Sequence, residues 1–272
     1  LPFWLTGMMP DLNLMYISYS DDFSESRSKD VRALQQTWGK ELFGTSIDPD
    51  HNKVSEWRIL GHRGGLLAVG IGGLITGKPG DWIIIDDLIK NDVEARSESA
   101  KKGHLAEWDG TISTRLQPGG TVIVIATRWA EDDLSGALIA RMQEPGYAGP
   151  QWEVISFPAF AEPSEEMEGE LTPEELVTWR DIIGREFGEV LDCRFSRIPG
   201  RDPADFFNIV KASRDPMKFA SLYQQRPFSA EGSMFKRENW RYYNVDERPE
   251  MEQVVRVWDL AGTEAGGDWT AG

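Results

Sequence analysis

Two aspartates stand together at the end of an apolar run, Trp82-Ile83-Ile84-Ile85-Asp86-Asp87. Such a run without alternation suits a strand buried on both faces of a parallel sheet. Ligands of open α/β sheets bind beyond the carboxyl ends of the strands, where the two carboxylates would sit. Asp86 there can hold the water shell of a Mg²⁺ on a nucleotide. Asp87 can orient and deprotonate an attacking water. The plainer alternative makes Asp87 the cap of the helix that follows. A second apolar run, residues 121–126, ends in Thr127-Arg128-Trp129. A threonine hydroxyl at that edge can sense a γ-phosphate and pass its loss onward. Arg128 either contacts phosphate or pairs with Glu131, Asp132 or Asp133 nearby.

A further acidic pair lies at 254–272, VVRVWDLAGTEAGGDWTAG. An apolar strand carries Asp259, a glycine-rich turn follows, and Asp268 opens a return strand. A two-metal nuclease site needs strand-borne carboxylates of this kind. An ordinary hairpin with Asp268 in turn chemistry fits the same residues. One part is absent: G-x-x-x-x-G-K-[ST], the backbone cradle for nucleotide phosphates, occurs nowhere in the sequence. Gly77-Lys78-Pro79 lacks the hydroxyl.

The elements that would position these groups are readable from pattern. Residues 12–18 read as a strand and 24–36 as a helix. Residues 57–76 are glycine-rich and short-stranded. Residues 92–116 have apolar positions at helical spacing, ended by Pro118-Gly119-Gly120. Strand, long helix, strand is a βαβ crossover, which predicts a parallel sheet. Helices and loops follow to about 226, then a polar, aromatic stretch.

Taken together, these motifs resemble the large terminase subunit of tailed double-stranded DNA bacteriophages. The matching stretches are GGLLAVGIGGLITGKPGDWIIIDDLIK (64–90), STRLQPGGTVIVIATRWAEDDLSG (113–136), WEVISFPAFAE (152–162), SLYQQRPFSAEGSMFKRENW (221–240) and VWDLAGTEAGGDWTAG (257–272). The resemblance implies an α/β ASCE-type P-loop ATPase with a parallel sheet and a helical lid, then the first hairpin of an RNase H-like nuclease. The implied divisions are an ATPase domain over 1–226 with a lid from about 136, a linker at 227–252 and the nuclease start at 253–272. The implied activity is ATP-driven translocation of double-stranded DNA into a procapsid, with metal-dependent cutting of concatemers. ATP and Mg²⁺ are the implied cofactors, with Mg²⁺ or Mn²⁺ at the nuclease. The implied partners are double-stranded DNA, a portal protein, a small terminase subunit and further copies in a ring, within the host cytoplasm and without a membrane.

On this resemblance Asp86 is the Walker B magnesium residue and Asp87 replaces the catalytic acid, one methylene shorter than the glutamate common elsewhere. Thr127 falls in the coupling motif, Asp259 is the first nuclease metal ligand and Asp268 is a family hallmark beside it. Relatives often carry Gly-Arg-Gly ahead of the Walker B strand, where the Arg is a candidate trans-acting finger. Lys78 stands in that place and cannot make an Arg's bidentate phosphate contact. Leu1 in place of an initiator Met, and a hairpin cut at Gly272, lead to the expectation of an internal stretch of a longer protein. Two other readings compete: an inactive module that docks on portal or DNA, and another ASCE ATPase such as a helicase.

Composition bounds these readings. The 272 residues carry 29 basic and 45 acidic side chains, a net charge of −16. That excludes a passive, high-affinity DNA coat, which is normally basic. Glu162, Glu165, Glu166, Glu168, Glu170, Glu174 and Glu175 form one acidic run, read as a solvated loop leading into a helix capped by Thr172. The single cysteine, Cys193, excludes an internal disulfide and suits a reducing compartment. His51, His62 and His104 have no metal-ligand spacing. The apolar stretch at 66–75 is too short to span a bilayer, and residues 1–9 lack the basic start of a signal peptide.

Overall fold

A computed structural model describes residues 1–163, 167, 171–193 and 198–227. It is an α/β structure built on one six-stranded sheet. In chain order the elements of the sheet layer are α1 (Pro2–Met8), β1 (Asn13–Ser18), α2 (Asp21–Leu34), α3 (Lys40–Phe43), β2 (Ile47–Asn52), β3 (Glu56–Ile59), β4 (Gly65–Gly70), β5 (Gly80–Asp86), α4 (Asp92–Ala95), α5 (Glu98–Glu107), β6 (Leu116–Ile125) and α6 (Leu134–Gln143). Strand order is β2-β3-β4-β1-β5-β6.

The β1–β4, β1–β5 and β5–β6 pairs are parallel, as the crossover pattern requires. The β2–β3 and β3–β4 pairs are antiparallel, so the sheet is mixed rather than wholly parallel. The correction lies in the glycine-rich region. Short connections such as residues 60–64 can join only antiparallel neighbours.

Strand alternation sends side chains to opposite faces. Met15, Ile17, Ile83 and Ile85 pack with Trp108, Ile112, Leu134 and Leu138 on one face. Leu14, Tyr16 and Ile84 pack with Leu5, Trp57 and Ile59 on the other. Helix α2 begins three residues before its apolar periodicity suggests. Ser20 caps it by accepting from the Phe23 N–H at 3.3 Å, and Asp21 and Asp22 suit the positive end of the dipole. Its inner face is made of small serines. Ser24 donates to the Val69 carbonyl at 2.7 Å, while Ser28 donates to Val54 and accepts from the Trp57 indole at 3.0 Å.

Three other expectations change. The single helix over 92–116 is divided. Asn91 caps α4, Ser97 caps α5, and a π turn at Trp108–Ile112 turns both Trp108 and Ile112 inward. Pro118-Gly119-Gly120 does not end the helix but lies inside β6. There Gly119 takes φ +79 and the register with β5 slips between Gly80 and Trp82. Strand β6 is an edge strand of the described sheet and only half-buried, with Ile125 48% exposed, not buried on both faces.

Beyond α6 the described chain carries α7 (Pro173–Thr178), α8 (Pro203–Ser213) and α9 (Pro216–Leu222) with irregular segments. Phe207, Val210 and Phe219 form their own small core with Ala159. Thr172 caps α7 in a full capping box with Glu175, as read from the acidic run. Glu165, Glu166, Glu168 and Glu170 lie outside the described residues. Glu162 is not simply solvated, because it pairs with Arg226 at 3.0 Å. Among the described residues no helix is long and apolar enough to cross a membrane.

The glycines of β4 give a stability test. A Cβ on Gly65 would lie 2.1 Å from the Trp57 carbonyl oxygen, whereas one on helical Gly103 meets nothing within 4 Å. Gly65→Ala is expected to lower unfolding free energy by about 1–3 kcal/mol. Gly103→Ala is expected to raise it by about 0.5–1 kcal/mol. Urea denaturation of both variants checks the contrast.

Candidate functional site

The parallel register brings the carboxyl ends of three strands level: Ser18 of β1 opposite Asp86 of β5, and Asp86 opposite Ile125 of β6. Asp86 is the last residue of β5 and shares the face of Ile84. Its carboxylate accepts a hydrogen bond from the Tyr16 hydroxyl of β1. Half-burial raises the Asp86 pKa above the ordinary carboxylate range, and the nearby Asp87 charge adds to this. The Tyr16 hydrogen bond and the charge of Arg27 act in the opposite direction. Burial and the same hydrogen bond push the Tyr16 phenol far above its usual value, so it is a donor. Ser18, on the Tyr16 face, has a buried hydroxyl with no hydrogen-bond partner.

Asp87 leaves the strand with φ +45, a left-handed value that Asp tolerates better than most residues. Its N–H donates to the Ile125 carbonyl at 2.9 Å, and its Oδ1 accepts from the Thr127 N–H at 3.1 Å. The residue therefore fastens the end of β5 to the end of β6, and it brings two of the site residues read from sequence together. It is not a helix cap, because Asn91 serves α4 by accepting from Val93 and Glu94. Asp87 lines a small cavity of about 20 Å³ with His104, Thr127, Asp133 and Leu134. That is room for one water. The two carboxylates thus diverge: Asp86 joins the Tyr16 side of the sheet, Asp87 the α5 and α6 side. One ligand reaches both only by lying across the strand ends.

Arg128 takes the pairing alternative. Its Nε lies 3.0 Å from Asp133, and its terminal nitrogen donates to the Ala130 and Glu131 carbonyls. Asp133 also accepts from the N–H groups of Trp129 and Gly136, the latter capping α6. Lys78 pairs with Glu56 at 2.6 Å. It lies two residues before β5, at the other end of that strand from Asp86, and the strand itself spans roughly 20 Å at about 3.3 Å per residue. Within one chain Lys78 is not part of the site. Asp259 and Asp268, with the whole hairpin, lie outside the described residues.

Sequence reading passed over Tyr16 and Arg27, and it weighed His104 only as a metal ligand. Tyr16 looked like one more residue of a buried strand, although a phenol two positions before a strand end signals a polar tip at the ligand edge. Arg27 of α2 acts on Asp86 through its charge and stacks over the Phe23 ring at 4.7 Å. His104 belongs to no metal group, and no cluster of three or more His, Cys, Asp or Glu forms among the described residues. It is nevertheless buried beside Asp87. A larger cleft of about 740 Å³ flanks α6, with Arg128, Ile155, Trp179 and Arg226 in its walls.

A Mg²⁺ ion fits this edge only in one manner. It commonly keeps several waters and takes one or two carboxylates plus substrate phosphates. Asp86 offers one such carboxylate, with an unpartnered Ser18 hydroxyl beside it. No all-protein cage is formed by the described residues. No family model matches the chain, and no curated protein matches it at significant similarity.

Burial lowers the pKa of His104, which the Glu94 charge opposes in part. The unfolded chain therefore takes up that proton first as pH falls. The stability His104 contributes is present above its ordinary value of about 6.5 and is lost below it. Urea midpoints at pH 7.5 and 5.0 should fall more for the wild type than for His104→Leu. Equal falls would show that another group controls the loss.

Proposed function

We propose that this chain is the ATPase portion of a terminase large subunit with the opening hairpin of its nuclease. In this reading it couples ATP hydrolysis to movement of double-stranded DNA into a procapsid. The observation that carries the reading is the carboxylate pair at the carboxyl end of β5, with Asp87 joined through the Thr127 N–H to the adjacent parallel strand.

The geometry supports the following roles. Asp86 would hold the water shell of the nucleotide's Mg²⁺, which screens phosphate charge when bound. Asp87 keeps one oxygen tied to the Thr127 N–H, and its other oxygen is available to take a proton from water. Thr127 lies two residues beyond the end of β6, so in this reading a change at Asp87 passes into the segment leading through Asp133 into α6. In this reading the phosphate cradle comes from residues outside 1–272, and β6 is an edge strand of the described sheet. Nuclease ligands Asp259 and Asp268, a portal, a small subunit, a ring of copies and a host-cytoplasm setting belong to the same proposal. The acidic net charge is compatible with a motor that grips DNA through local patches and releases it each cycle.

The test uses a polypeptide that carries a phosphate cradle ahead of residue 1 and further carboxylates after residue 272. Asp86→Ala should reduce ATP hydrolysis to background and leave Mn²⁺-dependent DNA cleavage measurable. Asp259→Ala should do the converse. Either change sparing both activities, or removing both in a folded protein, would refute the assignment of separate sites. The 272-residue chain by itself should hydrolyse no ATP above background. If downstream residues supply helicase motifs in place of acids, the helicase reading replaces this one.

A further inference from the structure

Tyr16 and Asp86 lie 70 residues apart in sequence and meet only because β1 and β5 pair in parallel. Register places Tyr16 opposite Ile84 and Ser18 opposite Asp86, so all four share one face by alternation. The Tyr16 ring is buried among Leu14, Trp57 and Ile84, which fixes where its hydroxyl can reach. An ionised carboxylate only accepts hydrogen bonds, so the phenol donates. The contact is to Oδ2 of Asp86. It leaves Oδ1 as the oxygen free to face a ligand, at the level of the unpartnered Ser18 hydroxyl.

A buried tyrosine needs a partner for its hydroxyl in any case. Here the partner chosen is the one carboxylate at the end of β5 on that face. A group that ties one oxygen of a metal-binding carboxylate settles which oxygen the metal meets and in what direction. We propose that Tyr16 is a positioning residue for Asp86. Its hydroxyl holds Oδ2 so that Oδ1 is presented beyond the strand end as a single, directed ligand for a divalent cation and its water shell. The proposal rests on the reading of Asp86 as a metal residue. It adds a residue to that site which no motif contains.

The test uses the 272-residue chain and Mn²⁺ alone. The acidic run at 162–175 offers competing sites, so bulk binding is uninformative and the readout must be local. The chain is labelled with 3-fluorotyrosine, and each of its six tyrosines gives a fluorine signal. The Tyr16 signal is identified as the one displaced in Asp86→Asn. Mn²⁺ should broaden that signal at lower concentration than the other tyrosines distant from the strand ends, and Asp86→Asn should abolish the selectivity. In Tyr16→Phe, which keeps the ring, Mn²⁺ affinity followed by backbone amide broadening at Asp86 should weaken about tenfold. The Tyr16→Phe/Asp86→Asn double variant should bind no more weakly than Asp86→Asn.

Unchanged affinity in Tyr16→Phe, with loss in Asp86→Asn, would overturn the positioning role and leave Asp86 as a metal residue. Unchanged affinity in Asp86→Asn would overturn the reading of Asp86 itself, as would a wild-type chain with no selective broadening near Asp86. Should Tyr16→Phe fail to fold, the fluorine measurement on wild type and Asp86→Asn decides. A Tyr16 signal broadened no earlier than those of remote tyrosines counts against the proposal.

Discussion

Ile83, Ile84 and Ile85 are at most 1% exposed, with β1 hydrogen-bonded along one edge of their strand and β6 along the other. Each such side chain contributes about 1.5–3 kcal/mol by its burial. An unpaired carboxylate among them would cost more than it could recover. Charge can therefore begin only where the strand leaves the sheet, and it does so at once with Asp86 and Asp87. Everything at the candidate site follows from this boundary. Tyr16 is within reach because β1 runs parallel in register. Thr127 is within reach because β6 does too.

The boundary itself is held by polar fastenings rather than by further apolar area. Asp87 is bonded to the end of β6 through its N–H and to Thr127 just beyond it through its carboxylate, which offsets the strain of its left-handed backbone. Asp133 is nearly fully buried and gathers Arg128, the Trp129 N–H and the Gly136 N–H. Gly136 has to be glycine here, since a Cβ would lie 1.7 Å from the Glu131 carbonyl oxygen. The path from Asp87 through Thr127 and Arg128 to α6 is consequently short and well tied. It is a physical route by which a change at the strand ends could reach the elements beyond.

Local signals made part of this legible. The isoleucine run marked β5, the residues 12–18 marked β1, and Thr172 with Glu175 marked the start of α7. Each depends on neighbours within a few positions. What escaped depends on partners far away in sequence. Nothing local says that β6 lies at an edge, because strand order is decided by packing across the whole sheet. Nothing local says that β2 and β3 run antiparallel beside β4. Arg128 had three acidic neighbours to choose among, and only the loop geometry selects Asp133. Tyr16 meets Asp86 across 70 residues, and Lys78 meets Glu56 across 22. The helix over 92–116 was visible by period but not its breaks, since Ser97 can act as a cap or sit mid-helix.

The pairings also separate two cations, Arg128 and Lys78, as candidates for a contact with phosphate. Under the motor reading, a cation supplied from one subunit to the nucleotide of the next must leave its own partner to do so. Arg128 is poorly placed for this. Its partner Asp133 is 4% exposed at the side chain, and withdrawing Arg128 would leave a buried charge underpaired. Breaking such a pair costs about 3–5 kcal/mol. Lys78 and Glu56 are 41% and 37% exposed, and pairs of this kind are worth about 0–1 kcal/mol. Lys78 can exchange Glu56 for a phosphate at little cost, and it stands at the far end of β5 from its own Asp86. That distance disqualifies it from the site of its own chain and is what a residue acting on a neighbour's site requires. Its weakness is chemical: an ammonium gives a point charge without the fork of a guanidinium.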